Sequence, residues 1–314
     1  MSFKVIGIGE VLWDLLPAGK QLGGAPANFA YHAHALGASG GAITRIGNDP
    51  LGREILVRFK ELGLPDKTVQ VDDQSPTGTV TVTLSKEGVP HFTIHENVAW
   101  DRLQATKHAL ETVQEADALC FGSLAQRSPI SRAAIQRLVG AAPENALRIF
   151  DVNLRQKFYS QEIVEQSLRL ANVFKLNDSE LPIIAHMFAT GRTSKAQIEK
   201  LAEKFQLRLI ALTRGSEGSL LFQDGRWSEQ RPIPVQIVDT VGAGDSFTAA
   251  LTLGLLNGMD LDEMHELAAK VAAYVCSQAG ATPPLPLRLR NSFSKLNNDE
   301  HSGKSRVNAE RAND

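Results

Sequence analysis

Residues 239–247 read Asp-Thr-Val-Gly-Ala-Gly-Asp-Ser-Phe, a short stretch that offers both a reactive side chain and bare backbone. Gly242, Ala243 and Gly244 leave N–H groups uncovered where an apolar stripe begins at Phe247 and continues through Ala250, Leu251, Gly254 and Leu255. The spacing predicts a helix with an open N-terminus. Its unpaired N–H groups and positive dipole end suit a phosphoryl group that is gathering negative charge. Asp245 stands beside that spot, where a carboxylate can take the proton of a hydroxyl as its oxygen attacks phosphorus. A tight glycine turn followed by an acidic residue that complements the helix dipole would give the same letters, so the stretch needs company before it means catalysis.

Company comes from the residues that follow short apolar runs, because ligands of a doubly wound sheet gather outside the carboxyl ends of its strands. Asp151, Asn153 and Arg155 follow one such run, Asn177 and Glu180 the next, and Thr213, Arg214 and Gly215 a third, whose turn continues to Gly218. Asn177 and Glu180 are spaced to hold a Mg²⁺ water shell together with phosphate, and equally to cap a helix. The polar, glycine-containing turn 213–218 suits nucleotide phosphates or a plain hairpin. Near the front, Gly23-Gly24-Ala25-Pro26-Ala27-Asn28 opens a helix with small residues that let a ligand approach the backbone. Asn28 offers a donor and an acceptor to sugar hydroxyls, and Asp14, after the first strand, a carboxylate that can accept two hydroxyl protons. Turns and caps would also account for these residues taken singly.

The elements that must position these groups alternate. Residues 3–9 predict a buried strand, 26–36 a helix, 42–46 a strand, and Leu51, Ile55, Phe59 and Leu62 one face of a helix ending at Gly63. Residues 79–84 alternate with period two, Lys86-Glu87-Gly88 makes a turn and 91–95 returns, a hairpin expected to form a lid with residues from about 10–25 and 69–100 rather than an added edge of the main sheet. From 117 to 278 strands and helices alternate, which predicts an α/β fold: a doubly wound, mainly parallel sheet with helices on both faces. Pro283, Pro284 and Pro286 are expected to close the ordered part, and residues 297–314, almost without apolar side chains, to form a disordered tail after one domain spanning 1–296.

Composition limits what such a chain does. Over 314 residues it is 43% hydrophobic and 22% charged, with a formal net charge of -2 and no dense Lys/Arg block, which argues against nucleic-acid and membrane partners and for small molecules. Cys120 and Cys276 lie far apart in apolar runs and read as buried thiols. No apolar run reaches the roughly 18 residues of a membrane span, and the N-terminus enters a strand at once, so a cytoplasmic protein is expected.

Together the motifs resemble the ribokinase/PfkB family of carbohydrate kinases over about residues 3–290. The stretch 239–247 is similar to the family's C-terminal signature, 23–52, ending Gly47-Asn48-Asp49-Pro50-Leu51-Gly52, to its N-terminal Gly-Gly signature, and 177–180 to its Asn-x-x-Glu motif. The resemblance implies a ribokinase-like fold with a β-lid, and ATP-dependent transfer of the γ-phosphoryl group to a primary hydroxyl. It implies Asp245 as base, the amides of residues 242–245 as anion hole, Asn177 and Glu180 as organisers of Mg²⁺ and phosphate, and Asp14, Gly24 and Asn28 as sugar-binding. Asp239 becomes a candidate ligand for a monovalent cation such as K⁺, and the lid a candidate homodimer surface. Residues 10–14, 24–28, 98–101 and 151–155 look most like the fructokinase branch. The alternatives are a ribokinase, a 2-keto-3-deoxygluconate kinase, in which Arg155 would pair with a carboxylate, and a catalytically silent sugar sensor.

Overall fold

The computed structural model describes residues 2–16, 19–84, 90–188 and 191–293. The expected turn at 86–88 and the expected tail at 297–314 lie outside the described residues. In chain order the elements are β1 (Lys4–Ile8), β2 (Leu12–Leu16), β3 (Gly19–Gly23), α1 (Ala25–Ala35), β4 (Ser39–Gly47), α2 (Pro50–Glu61), β5 (Val69–Asp72), β6 (Thr79–Leu84) and β7 (Pro90–Ile94). There follow α3 (Lys107–Gln114), β8 (Ala118–Phe121), α4 (Pro129–Gly140), β9 (Leu147–Asp151), α5 (Gln161–Leu170), β10 (Val173–Asn177), α6 (Leu181–Phe188) and α7 (Ser194–Phe205). The chain closes with β11 (Leu209–Thr213), β12 (Ser219–Gln223), β13 (Arg226–Gln230), α8 (Ala243–Leu256), α9 (Leu261–Cys276) and the short α10 (Leu287–Arg290).

Nine strands form the main sheet in the order β13-β12-β11-β10-β9-β8-β1-β4-β5. Neighbours from β5 to β11 run parallel, and β12 and β13 add an antiparallel edge. Alternation along the strands divides the core between the two faces: Leu209 and Ala211 of β11 pack with α8 and α9, whereas Ile210 and Leu212 join the cluster that includes Ile184 of α6 and Ile198 and Leu201 of α7. On the latter face Phe121, Phe150 and Phe174 of three adjacent strands stack with ring centroids 5.3 and 5.7 Å apart.

The lid is a separate four-stranded sheet ordered β3-β2-β6-β7. Val80, Val82 and Ile94 turn inward against Leu12, Val98 and Trp100, while the threonines occupy the other face of β6. Two boundaries differ from expectation. Val69–Asp72 pairs with β4 at the edge of the main sheet, because the short connection leaving α2 reaches that edge before the chain turns toward the lid. The three prolines do not end the packed chain either, since Leu285, Leu289 and Phe293 are buried in the cluster beneath α8 and α9. A helix over 107–114, capped by Thr106, also went unforeseen. Gly47-Asn48-Asp49-Pro50-Leu51-Gly52 works structurally: Asp49 caps α2 through Gly52 N at 2.8 Å and holds Thr77 N at 2.8 Å and Oγ1 at 2.7 Å, which fixes the approach to β6. Among the described residues no helix is long and apolar enough to cross a membrane, and Cys120 is buried while Cys276 is only half-buried.

Candidate active site

Helix α8 is preceded by Gly242 at its N-cap, whose φ of +78° is left-handed and whose missing side chain leaves the first turn without a side-chain cap. A Cβ there would stand 2.3 Å from Ala281 O, so both conformation and space demand glycine. The segment after α9 thus lies against the start of α8, anchored to α1 by Tyr31 Oη donating to Pro283 O (3.0 Å) and by His32 Nε2 at 2.9 Å from Ala281 O. Ala243, Gly244 and Asp245 form the half-buried first turn of a helix whose next ten residues are buried, which makes its N-terminus rigid as well as open.

Asp245 meets the second motif across the fold. Asn28, one turn into α1, donates from Nδ2 to Asp245 Oδ2 at 2.9 Å, joining residues 217 positions apart. Burial raises the Asp245 carboxyl from 3.8 to about 6, helped by the charge of Asp151 and opposed by the Asn28 hydrogen bond, Lys175 and Arg155. Gly24 precedes α1 with φ +112°, and a Cβ on it would lie 2.5 Å from Glu10 O. Asp14 sits within β2 of the lid rather than after the first strand, close enough to Gly23 that a Cβ there would meet its Oδ2. Burial raises Asp14 to about 6 against the pull of Arg155. Arg155, exposed and following β9, carries a charge that acts on both Asp14 and Asp245.

Beneath the first turn of α8 lies a buried ion pair, Lys175 Nζ to Asp151 Oδ1 at 3.1 Å, with Thr248 Oγ1 3.0 Å from Asp151 Oδ2. Burial pulls the Lys175 ammonium down, but Asp151, Glu180 and Asp245 outweigh it and hold its pKa up. A Cβ on Gly244 would stand 3.0 Å from Lys175 Nζ, so that glycine faces the lysine. Asn177 and Glu180 form a reciprocal cap. Asn177 Oδ1 accepts from Ser179 N and Glu180 N, and Glu180 accepts from Asn177 N and Leu154 N at 2.8 Å each. Glu180 is buried, which raises its pKa, and both its oxygens are engaged with backbone N–H groups. A cation near this turn would therefore be held through water.

The register pairs Asn177 with Thr213, bringing the third turn beside the second. Arg214 donates to Glu229 Oε1 at 2.9 Å, Gly215 and Gly218 have φ of +52° and +83°, and β11 continues antiparallel into β12. The hairpin reading thus describes the backbone, and the turn still lies at the carboxyl end of β11. Asp239 accepts from Val241 N (3.0 Å) and Gly280 N (3.1 Å), tying the approach to α8 to the turn after α9. Among the described residues no three His, Cys, Asp or Glu side chains group as a metal site.

Two groups escaped the sequence reading. Glu10, directly after β1, is 4% exposed and raised by burial to about 7. Lys175 lies inside a buried strand. The signal was present in both: a charged residue within an apolar run is expensive to bury and so asks for a reason.

The family model for pfkB family carbohydrate kinases matches residues 18–288. A fructokinase of Escherichia coli is 30% identical over 306 residues, covering 92% of this chain and 98% of the relative. An uncharacterized sugar kinase of Pyrococcus horikoshii, solved in complex with ATP, superposes with TM-score 0.76 at 27% identity over 88% of this chain and 94% of the other. A fructokinase of Xylella fastidiosa with bound ATP shares the fold at TM-score 0.82 and 20% identity, covering 95% and 99% of the two chains.

Proposed function

Because the chain belongs to the pfkB family of carbohydrate kinases, we propose that it moves the γ-phosphoryl group of ATP to a primary hydroxyl of a neutral sugar, with fructose as acceptor and fructose 6-phosphate as product. The observation that carries the reading is the meeting of Asp245, at the open start of α8, with Asn28 of α1 at 2.9 Å. In this reading Asp245 accepts the hydroxyl proton while the hydroxyl oxygen bonds to phosphorus and the bond from phosphorus to the ADP oxygen breaks. The first-turn amides of residues 242–245 and the dipole of α8 take up the charge on the transferring oxygens. Asp14, Gly24 and Asn28 hold the sugar under the lid, and the Thr213–Gly218 turn, with Arg214 and Gly215, faces the nucleotide phosphates. Mg²⁺ would neutralise those phosphates when bound, with Asn177 and Glu180 ordering its water shell. Asp239, on the same reading, helps a monovalent cation brace the loop before α8, and the lid offers a homodimer surface.

The position of Arg155 favours one second reading. Its charge reaches Asp14, Glu10 and Asp245, so a sugar acid could place its carboxylate there. Those same carboxyls would repel an acid, and a neutral ketohexose answers them with hydroxyl donors. Turnover of ATP against a panel containing fructose, ribose, glucose and 2-keto-3-deoxygluconate is the test. Fructose should exceed the sugar acid and ribose at least about tenfold in kcat/KM. A preference for the acid that Arg155→Ala abolishes would replace fructose with the second reading, and no turnover with any sugar would overturn the kinase reading.

A further inference from the structure

Glu10 sits where β1 ends. Gly9, at φ +147°, bends the chain there, and its N–H donates to Ile43 O at 3.1 Å. The carbonyl of Glu10 lies against Gly24, where a Cβ would be 2.5 Å away, so the loop and the start of α1 are held together. The side chain is 4% exposed. Its Oε2 is buried without a hydrogen-bond partner. Burial dominates its titration, its own backbone N–H is the hydrogen bond that acts on the carboxyl, and the charges of Asp245, Arg155 and Arg127 all reach it. Leaving such an oxygen unpaired costs about 1–3 kcal/mol, which a bound hydroxyl would relieve.

A second unpaired atom belongs to the same group. Asn28 is 3% exposed, its Nδ2 is committed to Asp245, and its Oδ1 is buried without a partner. The hydrogen bond to Asp245 fixes the amide so that the free atom is the acceptor. Arg127, whose charge acts on Glu10, is locked by Asp101 at 2.8 and 2.9 Å and stacked on Trp100 and Phe158 at 4.0 and 4.6 Å from the ring centroids, and its Nη1 is also unpaired. Two buried acceptors whose groups act on the base, and a buried donor whose charge acts on Glu10, describe a surface that a polyhydroxy compound satisfies, since each hydroxyl both donates and accepts.

We propose that Glu10 is a substrate-reading side chain of this enzyme, whose Oε2 takes a sugar hydroxyl remote from the transferred phosphoryl group while Asn28 Oδ1 takes another. This rests on the sugar-kinase reading above and deepens it. The substrate class is a neutral polyol with adjacent hydroxyls, and an analogue lacking the hydroxyl over Glu10 leaves a buried carboxyl oxygen unanswered.

The test uses the full chain with fructose, or whichever sugar the wild type phosphorylates best, and its singly deoxygenated analogues at every position except the reacting one. Wild type should lose at least about tenfold in kcat/KM on one analogue. In Glu10→Ala that analogue and the parent sugar should lie within about twofold of each other, with the loss on the parent expressed mainly in KM. The nearly isosteric Glu10→Gln, which keeps a carbonyl acceptor, should retain part of the discrimination and serves where the alanine variant fails to fold. An unchanged analogue profile in a folded Glu10 variant overturns the inference and leaves the kinase reading intact. A wild type that phosphorylates no sugar overturns both.

Discussion

Replacing Asp245 by asparagine should separate what the site costs from what it does. The carboxyl is lifted by burial, then by Asp151, from 3.8 to about 6, and that difference corresponds to about 3 kcal/mol of native-state destabilisation once the group is ionised. The sign follows from the direction of the shift. The native state holds this proton more tightly than the unfolded chain, so the contribution of Asp245 to stability is greatest below the unfolded value of 3.8 and falls as pH rises from there to about 6. The substituted amide carries no charge to bury, and its carbonyl can still accept from Asn28. Asp245→Asn should therefore be more stable than wild type at pH 8 by up to about 3 kcal/mol, an upper bound because pocket water screens the charge. At pH 4 the gain should shrink below about 1 kcal/mol. Activity should move the other way, with kcat falling by about 10³ as no group takes the hydroxyl proton. Denaturant unfolding at both pH values and a coupled assay for ADP release measure the two effects. Near-normal turnover would refute the assignment of the base, and a stability gain that does not depend on pH would refute its buried charge.

The remaining expectations are shorter. Gly242→Ala should lower both Tm and kcat, because the left-handed φ of +78° and a Cβ 2.3 Å from Ala281 O strain the start of α8; a thermal melt matching wild type would contradict it. Gly244→Ala should act on kcat through Lys175, whose Nζ must yield to a Cβ at 3.0 Å, and a Lys175→Met background should therefore soften the loss in the same coupled assay. Glu180→Gln should raise the Mg²⁺ concentration for half-maximal rate and also lower Tm, since one of the two backbone N–H groups it receives loses its acceptor; a metal titration and a melt both like wild type would exclude this turn. The acid limb of kcat/KM should fall near pH 6 as Asp245 takes up its proton in the free enzyme, and in Asp245→Asn it should become shallower, keeping only the part that Asp14 and Glu10 contribute through sugar binding.

Legibility in the sequence followed backbone geometry. Strands with continuous apolar runs and helices with a 3.6-residue stripe were readable because each buries a face, and their order fixes a parallel sheet. Asp245, Asn177, Glu180 and Thr213 were readable as candidates because each lies at the end of a strand or the start of a helix. The partition between lid and main sheet was less so, since Val69–Asp72 and Thr79–Leu84 carry similar β-forming residues, and only the reach of the chain leaving α2 assigns the first to β4. Helix α3 was missed for want of a long stripe, its eight residues burying only Ala109, Thr112 and Val113. The pairing of Asn28 with Asp245 spans 217 positions and has no local signal at all.

Among the described residues, burial raises four carboxyls, and they come from both the main fold and the lid. Glu10 follows β1, Asp14 rides on lid strand β2, Glu180 opens α6 and Asp245 opens α8, and burial is the largest cause of the rise in each. Arg155 is exposed and Lys175 is already committed to Asp151, so neither offers these carboxyls a buried, free cation. On the sugar-kinase reading proposed above, a sugar would supply hydroxyl donors to them, while the first-turn amides of α8 would answer phosphate. Binding of a neutral sugar should accordingly raise Tm more at pH 8, where the carboxylates are ionised and accept its hydroxyls, than at pH 5, where they hold their own protons. Equal shifts at the two pH values, measured at equal saturation, would show that these carboxyls do not meet the sugar.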